Sequence, residues 1–370
     1  MKILEIFGEP ISSGGQESFV NSVILNLPEN KFQIDLFTPY FCDNQEYKKN
    51  VENKGGKLYE GHLDFRPGKS RSNIVDPIVK QLKSVKYDVV HVHSGSISVL
   101  TLAAKCAKKN GVEKVIVHSH CGIEKITLKN ILLRNIMSLS LNKYADIFCA
   151  CSKTAGEAKF TKKIVENKLH IINNGVDFKV FNHSKKENER IRKIIGADKD
   201  TFVVGHVGRF SYQKNHDFLL EIFNEIRKRK SNCILLLIGD GELKKEIIGK
   251  TRELGLSDSV HFAGNVNNVN EYMQAMDVFV LPSRFEGLPI VGVEAQASGI
   301  ETFVSTNVSR ELMLTKHIHY LNLDDPQSWS DAILGFSDYS HYDSRKELQE
   351  KGYDIHLTAS YLSSMYMDSE

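Results

Sequence analysis

Short, almost wholly apolar runs alternate with amphipathic stretches along nearly the whole chain, and this alternation restricts the fold more than any other feature. The runs lie at residues 2–7, 32–38, 88–93, 114–119, 146–151 and 169–173 in the first half. In the second half they lie at 202–207, 233–238, 260–263, 277–282 and 300–305. They are rich in Val, Ile and Phe and show little polar alternation, as strands do when both faces are buried in a parallel sheet. Helical patterns separate them at 16–27, 73–83, 96–109, 127–143 and 154–162, then at 217–230, 242–254, 269–275 and 289–298. Repetition of this kind predicts an α/β fold with a mostly parallel sheet in each half. A chain of 370 residues has room for two domains, each with its own core. The stretch HSKKENERIRK (183–193) is charged and nearly free of apolar residues, and it reads as the linker. The expected domains are therefore 1–180 and 190–350, with a further helix at 353–370.

Composition excludes several classes. A hydrophobic fraction of 41% with 25% charged residues is that of an ordered globular chain. The net charge of +2 argues against a dedicated nucleic-acid binder. The charge is unevenly spread, with a net +8 over residues 1–180 and −6 over 181–370. A basic first half suits an anionic surface or acceptor, or is drift over a solvated surface. The six cysteines, Cys42, Cys106, Cys121, Cys149, Cys151 and Cys233, form no zinc-type pair. The opening MKILEIFGEP lacks a basic region followed by a long apolar stretch, and no window could span a membrane. The expected location is the cytoplasm, with contact at the inner membrane face as an extension.

Four places carry candidate chemistry. Gly14 and Gly15 follow the first strand and precede a helix, so the segment is either a plain turn or a place where a phosphate meets backbone N–H groups. It lacks the dinucleotide fingerprint, which disfavours a nicotinamide dehydrogenase. The pairs His91/His93 and His118/His120 end two strands. Each histidine is a packed core residue, a metal ligand or a hydrogen-bonding group, and His120, last on its strand, is singled out, with His118 as the fallback. Arg209 and Lys214, directly after the 202–207 strand, could grip the two phosphates of a diphosphate. The segment SRFEGLPIVGVEAQASG is the most informative. Pro289 opens a helix and Gly299 stops it. Glu286 lies before the helix and Glu294 within it, among small apolar residues where an unpaired carboxylate is costly. Carboxylates on either side of a helix N-terminus suit a phosphate flanked by sugar hydroxyls.

The segments INNGVD, GHVGRF, QKN, LLLIGDGEL and AMDVFVLPSRFEGLPIVGVEAQASG together resemble the retaining glycosyltransferases of family 4. GGQESFV and VIVHSHC resemble its bacterial capsular and exopolysaccharide branch. The resemblance implies a GT-B fold, with two Rossmann-like domains facing across a cleft. The first would hold the acceptor and the second a nucleotide-sugar donor, with UDP expected from family habit alone. By that resemblance Glu286 contacts the donor sugar and Glu294 the ribose. Arg209 and Lys214 bind the diphosphate, Gly287 and Leu288 offer backbone amides, Gly14 and Gly15 meet the donor phosphate, and His120 lies near the reacting carbon. The stretch 305–311 lacks the glycines often found there, so no site residue is assigned to it. The only Asp-x-Asp, Asp198 to Asp200, precedes a strand and reads as a solvated turn, so no metal or other cofactor is expected. The acceptor expected is a saccharide or lipid-linked saccharide. The helical stretch at 127–143 mixes apolar residues with Lys129, Arg134 and Lys143, so it reads as a half-buried helix or as a contact with anionic membrane. A GT-B epimerase and a non-catalytic partner subunit are the rival readings. The second should lack donor-binding residues that are present here.

Overall fold

The computed structural model describes residues 1–12, 14–66, 70–120, 128–336 and 338–368. The chain divides into two compact units, Met1–Gly175 with Gly352–Glu370, and Val176–Lys351.

The first unit runs β1 (Lys2–Phe7), α1 (Gly15–Asn26), β2 (Gln33–Thr38), α2 (Gln45–Asn53), β3 (Leu58–Glu60), α3 (Val75–Ser84), β4 (Val89–Ser94) and α4 (Ile97–Lys109). It continues with β5 (Lys114–Ser119), α5 (Leu128–Leu141), β6 (Ile147–Ala150), α6 (Lys153–Lys159), α7 (Lys162–Asn167) and β7 (Leu169–Ile171). Its strands form one parallel sheet in the order β3-β2-β1-β4-β5-β6-β7. The order reverses between β1 and β4. In an open α/β sheet ligands bind beyond the strand C-termini at such a switch point. β4 and β5 fit the apolar reading, with Val89, Val90, Val92, Val115, Ile116 and Val117 all buried. They depart from it by also burying His91, His93 and His118.

The second unit runs α8 (Lys185–Ile194), β8 (Phe202–Val207), α9 (His216–Arg229), β9 (Cys233–Ile238), α10 (Lys244–Glu253), β10 (Val260–Gly264) and α11 (Val269–Met273). It continues with β11 (Val278–Leu281), α12 (Ile290–Ala297), β12 (Glu301–Ser305), β13 (Ile318–Leu321), α13 (Pro326–Leu334) and α14 (Arg345–Glu350). Its sheet is also parallel, in the order β10-β9-β8-β11-β12-β13, with the reversal between β8 and β11. The single tryptophan, Trp329, is buried on α13 and meets Phe218 of α9 edge-on, with ring centroids 6.1 Å apart.

The chain then returns to the first unit as α15 (Ile355–Met367). Asp354 caps its start by accepting from the His356 N–H at 2.8 Å. Lys114 Nζ closes its end by donating to the carbonyls of Met365, at 2.9 Å, Tyr366, at 3.0 Å, and Asp368. A cation on the last carbonyls of a helix satisfies orphan acceptors and complements the dipole.

One boundary differs from the expectation. The second unit begins at Val176 rather than near 190 and ends at Lys351. The presumed linker is α8. Ser184 caps it by accepting from the Glu187 N–H at 3.3 Å. Its charge misleads because one apolar residue suffices: Ile191 is buried, and Arg192 follows it inward. The Arg192 guanidinium donates to Asp198 O at 3.0 Å, Thr201 O at 2.7 Å and Asp277 Oδ1 at 2.7 Å, tying the helix to both ends of the β8 and β11 entry. The expected helix at 154–162 is two short ones, α6 and α7. Cys121 and Thr127 lie outside the described residues.

Replacing Arg192 by Ala leaves Asp277 Oδ1 and two carbonyls without their donor, while Asp277 Oδ2 keeps the Val203 N–H. We expect the second unit to lose about 3 kcal/mol, read by urea unfolding through Trp329 fluorescence. A midpoint equal to wild type would show that α8 is held by something else.

Candidate functional site

In the second unit the segments after β8 and β11 flank the switch point and are bonded to each other. Lys214 Nζ lies 2.7 Å from Glu286 Oε1, and both side chains are largely buried. Ser283 Oγ donates to the same Glu286 oxygen at 3.2 Å, and Ser305 Oγ donates to Ser283 O at 2.5 Å. The Glu286 backbone is pinned in turn: its N–H donates to Asn307 O at 3.3 Å and its carbonyl accepts from Ser309 N–H at 3.2 Å. Asn215 Nδ2 donates to Pro282 O at 3.1 Å, from a residue in the left-handed region with φ 59°. Gln213 accepts from the Arg284 N–H at 2.8 Å and donates to Phe285 O at 3.1 Å. A carboxylate and an ammonium are thus held at fixed positions over the sheet edge.

Gly208 has a defined task here. A Cβ at that position would lie 3.0 Å from Lys214 Cδ and 3.0 Å from His206 Nε2, so its absence lets the lysine stem pass. Arg209 is the next residue along. It is exposed, donates from Nε to Glu242 Oε2 at 3.2 Å, and shares no hydrogen-bond partner with Lys214 among the described residues. Gly287 and Leu288 are partly buried just before α12, and Pro289 is its N-terminal cap residue.

Glu294 is the unusual group. It sits on α12, partly buried, and its carboxylate has no hydrogen-bond or ionic partner among the described residues. Burial raises its pKa from 4.5 to about 7. An acceptor left unpaired in a desolvated place is poised for a ligand that brings donors, as a sugar diol does.

In the first unit Gly14 is the cap residue of α1 and Gly15 its first residue. A Cβ on Gly14 would collide with the Glu17 carboxylate, which folds back under the loop. Burial, with Glu9 and Asp43 nearby, raises the Glu17 pKa to about 7. His120 follows β5 and is only partly buried, whereas His118 is fully buried with both ring nitrogens unpartnered. Of the two, His120 is the one a ligand can reach. Its ring stacks on His118 with centroids 4.2 Å apart and accepts or donates at Nε2 to His93 Nδ1 at 2.9 Å. Burial lowers the pKa of all four histidines, that of His93 to about 3, so they are neutral near pH 7.

His91, His93 and His118 bring ring nitrogens within 4.8 Å of one another, a spacing that suits a divalent ion. Both nitrogens of His93 are already engaged, however, with His120 and with Glu5 Oε2 at 2.6 Å. Asp198 accepts from Thr201 Oγ1 at 2.6 Å and from the Asp200 N–H at 3.0 Å, a local turn before β8 and so away from the strand C-termini. Ser283, Ser305, Asn215 and Glu5 are site-supporting residues that sequence reasoning missed. Only Asn215, beside Lys214 and before a helix, had a local signal.

A model described as Glycosyltransferase Family 4 matches residues 13–180, and one described as Glycosyl transferases group 1 matches residues 187–354. Together they account for both units. The chain is a family 4 glycosyltransferase. Among relatives of this glycosyltransferase, the Bacillus subtilis protein EpsF, named as a glycosyltransferase, is 29% identical over 96% of this chain and 94% of its own. The Escherichia coli UDP-Gal:alpha-D-GlcNAc-diphosphoundecaprenol alpha-1,3-galactosyltransferase is 29% identical over 70% of this chain and 69% of its own. The crystal structure of Anabaena HepE in complex with UDP-glucose aligns with a TM-score of 0.71 at 19% identity, over 100% of this chain and 96% of that one. That likeness shows the fold, which is GT-B.

The raised pKa of Glu294 has a stability consequence. The folded state favours the neutral carboxyl, so the contribution of Glu294 to stability is greatest below about pH 4.5 and is lost as pH rises through about 7. Glu294→Gln removes this penalty. We expect its thermal midpoint to exceed that of wild type at pH 8 and to match it at pH 4.5. A constant difference between the two pH values would show that Glu294 is not desolvated.

Proposed function

We propose that this glycosyltransferase acts in polysaccharide biosynthesis, moving a hexose from a UDP-sugar to a saccharide or lipid-linked saccharide with retention at the anomeric carbon. The single observation that carries it is the Lys214–Glu286 pair at the β8/β11 switch point, with the unpaired Glu294 on the helix that follows. The incoming donor satisfies each group better than the empty arrangement does. Its diphosphate gives Lys214 a doubly charged partner, and its hydroxyls give Glu294 the donors it lacks and Glu286 donors in place of the lysine. Arg209, exposed and, among the described residues, paired only with the exposed Glu242, is free to swing to the same diphosphate. These cations and the start of α12 stabilise charge on the leaving group, a task that needs no metal ion in this reading. In the first unit, the same reading gives His120 a role near the reacting carbon and the Gly14–Gly15 backbone a role toward the donor phosphate.

The donor class is supported by the relatives: the E. coli protein is named for UDP-Gal, and HepE was crystallised with UDP-glucose. Polysaccharide biosynthesis is supported by a Staphylococcus aureus relative named for capsular polysaccharide, CapH.

Thermal shift with UDP and a panel of UDP-sugars, followed by donor hydrolysis, tests the donor site. Glu286→Ala should keep stabilisation by UDP while losing discrimination among sugars. Lys214→Ala should weaken both, by about tenfold or more in affinity. Hydrolysis should survive a chelator. Equal loss of UDP and sugar response in Glu286→Ala would move that residue out of the sugar site, and loss of hydrolysis on chelation would end the metal-free reading.

Membrane contact rests on α5. Leu132, Ile136 and Leu139 lie three to four residues apart and are more than half exposed, on a helix that also carries Arg134. None of the described helices is long and apolar enough to cross a membrane, so any contact is at the surface. Binding to anionic vesicles should rise as salt is lowered and fall in Leu132→Ser/Ile136→Ser. Equal absence of binding to anionic and neutral vesicles at low salt would remove this part of the reading.

A further inference from the structure

A continuous line of hydrogen bonds runs from α15 to His120. Tyr366 Oη donates to Glu5 Oε1 at 3.0 Å. Glu5 Oε2 lies 2.6 Å from His93 Nε2, and His93 Nδ1 lies 2.9 Å from His120 Nε2. On the far side, Tyr366 Oη lies 2.9 Å from His91 Nδ1. Glu5, His93, His91 and Tyr366 are all buried, on β1, β4 and α15, and only His120 is partly exposed.

The proton positions follow from counting donors. Burial pushes the Glu5 pKa up, and the neighbouring His91 and the bond from Tyr366 oppose that rise; in its ionised form the carboxylate can only accept, so it takes one bond from Tyr366 and one from His93 Nε2–H. A neutral His93 protonated at Nε2 has a lone pair at Nδ1, so the bond to His120 requires His120 to carry its proton at Nε2. His120 Nδ1 is then a lone pair, and it has no hydrogen-bond partner among the described residues. The other branch agrees. Tyr366, having given its proton to Glu5, accepts from His91 Nδ1–H, which leaves His91 Nε2 as the unprotonated nitrogen. That atom is indeed buried without a partner, the less costly of the two ways to orphan an imidazole nitrogen. Stacking holds the ring planes: His120 lies on His118, and Phe19 approaches it with centroids 5.5 Å apart.

We propose that Glu5, His93 and Tyr366 are positioning residues that fix His120 as the Nε2-protonated tautomer and so present its Nδ1 lone pair to a substrate hydroxyl. This rests on the reading of His120 as a group that meets substrate. The terminal helix, through Tyr366, supports the Glu5 carboxylate that sets which atom His120 offers. The other titratable groups around the line are His118 of β5, Tyr47 of α2, which faces Glu5, and Cys149 of β6, which faces Tyr366.

Two-bond proton–nitrogen spectra of histidine-labelled protein read the tautomers directly. The expected wild-type result is His120 and His93 each protonated at Nε2. Either ring protonated at Nδ1, or a mixture, overturns the proposal. Glu5→Gln, which is isosteric but can donate as well as accept, should scramble both tautomers. It should lower kcat for UDP-glucose hydrolysis about tenfold with KM unchanged. Tyr366→Phe leaves the Glu5–His93 bond, so it should keep the tautomer and lower kcat less. A Glu5→Gln protein with wild-type spectrum and kcat overturns the proposal. His120→Ala with wild-type kcat would instead overturn the role given to His120, and the spectrum reports on the network independently of that result.

Discussion

A strand buried on both faces has no place for polar chemistry except at its end, and the candidate site follows from that constraint. Both sheets are parallel throughout, so their functional side chains are displaced into the segments that follow the strands. In the second unit this displacement puts Lys214 and Glu286 on the two sides of the reversal between β8 and β11. In the first unit the same geometry brings the Gly14 segment to the corresponding reversal beside β1. The exception is instructive. β1, β4 and β5 do carry Glu5, His91, His93 and His118 inside the sheet; burying Glu5 and His93 is tolerable because their polar atoms bond to each other, to Tyr366 and to His120, whereas His91 Nε2 and both His118 nitrogens stay without a partner among the described residues.

The second unit also shows how a ligand site is kept stable while it waits. Two opposite charges held 2.7 Å apart neutralise each other, and two serine hydroxyls and several backbone bonds fix the loop that carries the acid. Glu294, a few residues on, is not treated in this way, and burial alone decides its protonation. One acid is preorganised by a partner and the other is left unsatisfied, an arrangement in which stability is given up at the position where binding would recover it.

Much of this was legible in the sequence because the relevant signals are local. Apolar runs marked the long strands, and Pro289, Gly299 and the two glutamates marked α12 and its surroundings. The failures have a common cause as well. α8 looked like a linker because its partners, Asp277 above all, lie more than eighty residues away, and no local pattern shows that Arg192 has a buried acceptor set. The histidine pairs were visible as a pattern on two strands. Their bonding was not, because it needs β1, β4, β5 and the last helix to be neighbours, and that adjacency comes from topology.

The return of the chain to the first unit has a consequence for synthesis. Residues 176–351 form a contiguous unit and can fold as soon as they leave the ribosome, whereas the earlier unit lacks α15 until translation has passed residue 367. Until then Lys114 has no helix end to hold, and the Glu5 carboxylate lacks its tyrosine. The part of the polypeptide made first is therefore the part completed last, and a nascent chain stalled before that point would carry an open flank on its oldest half.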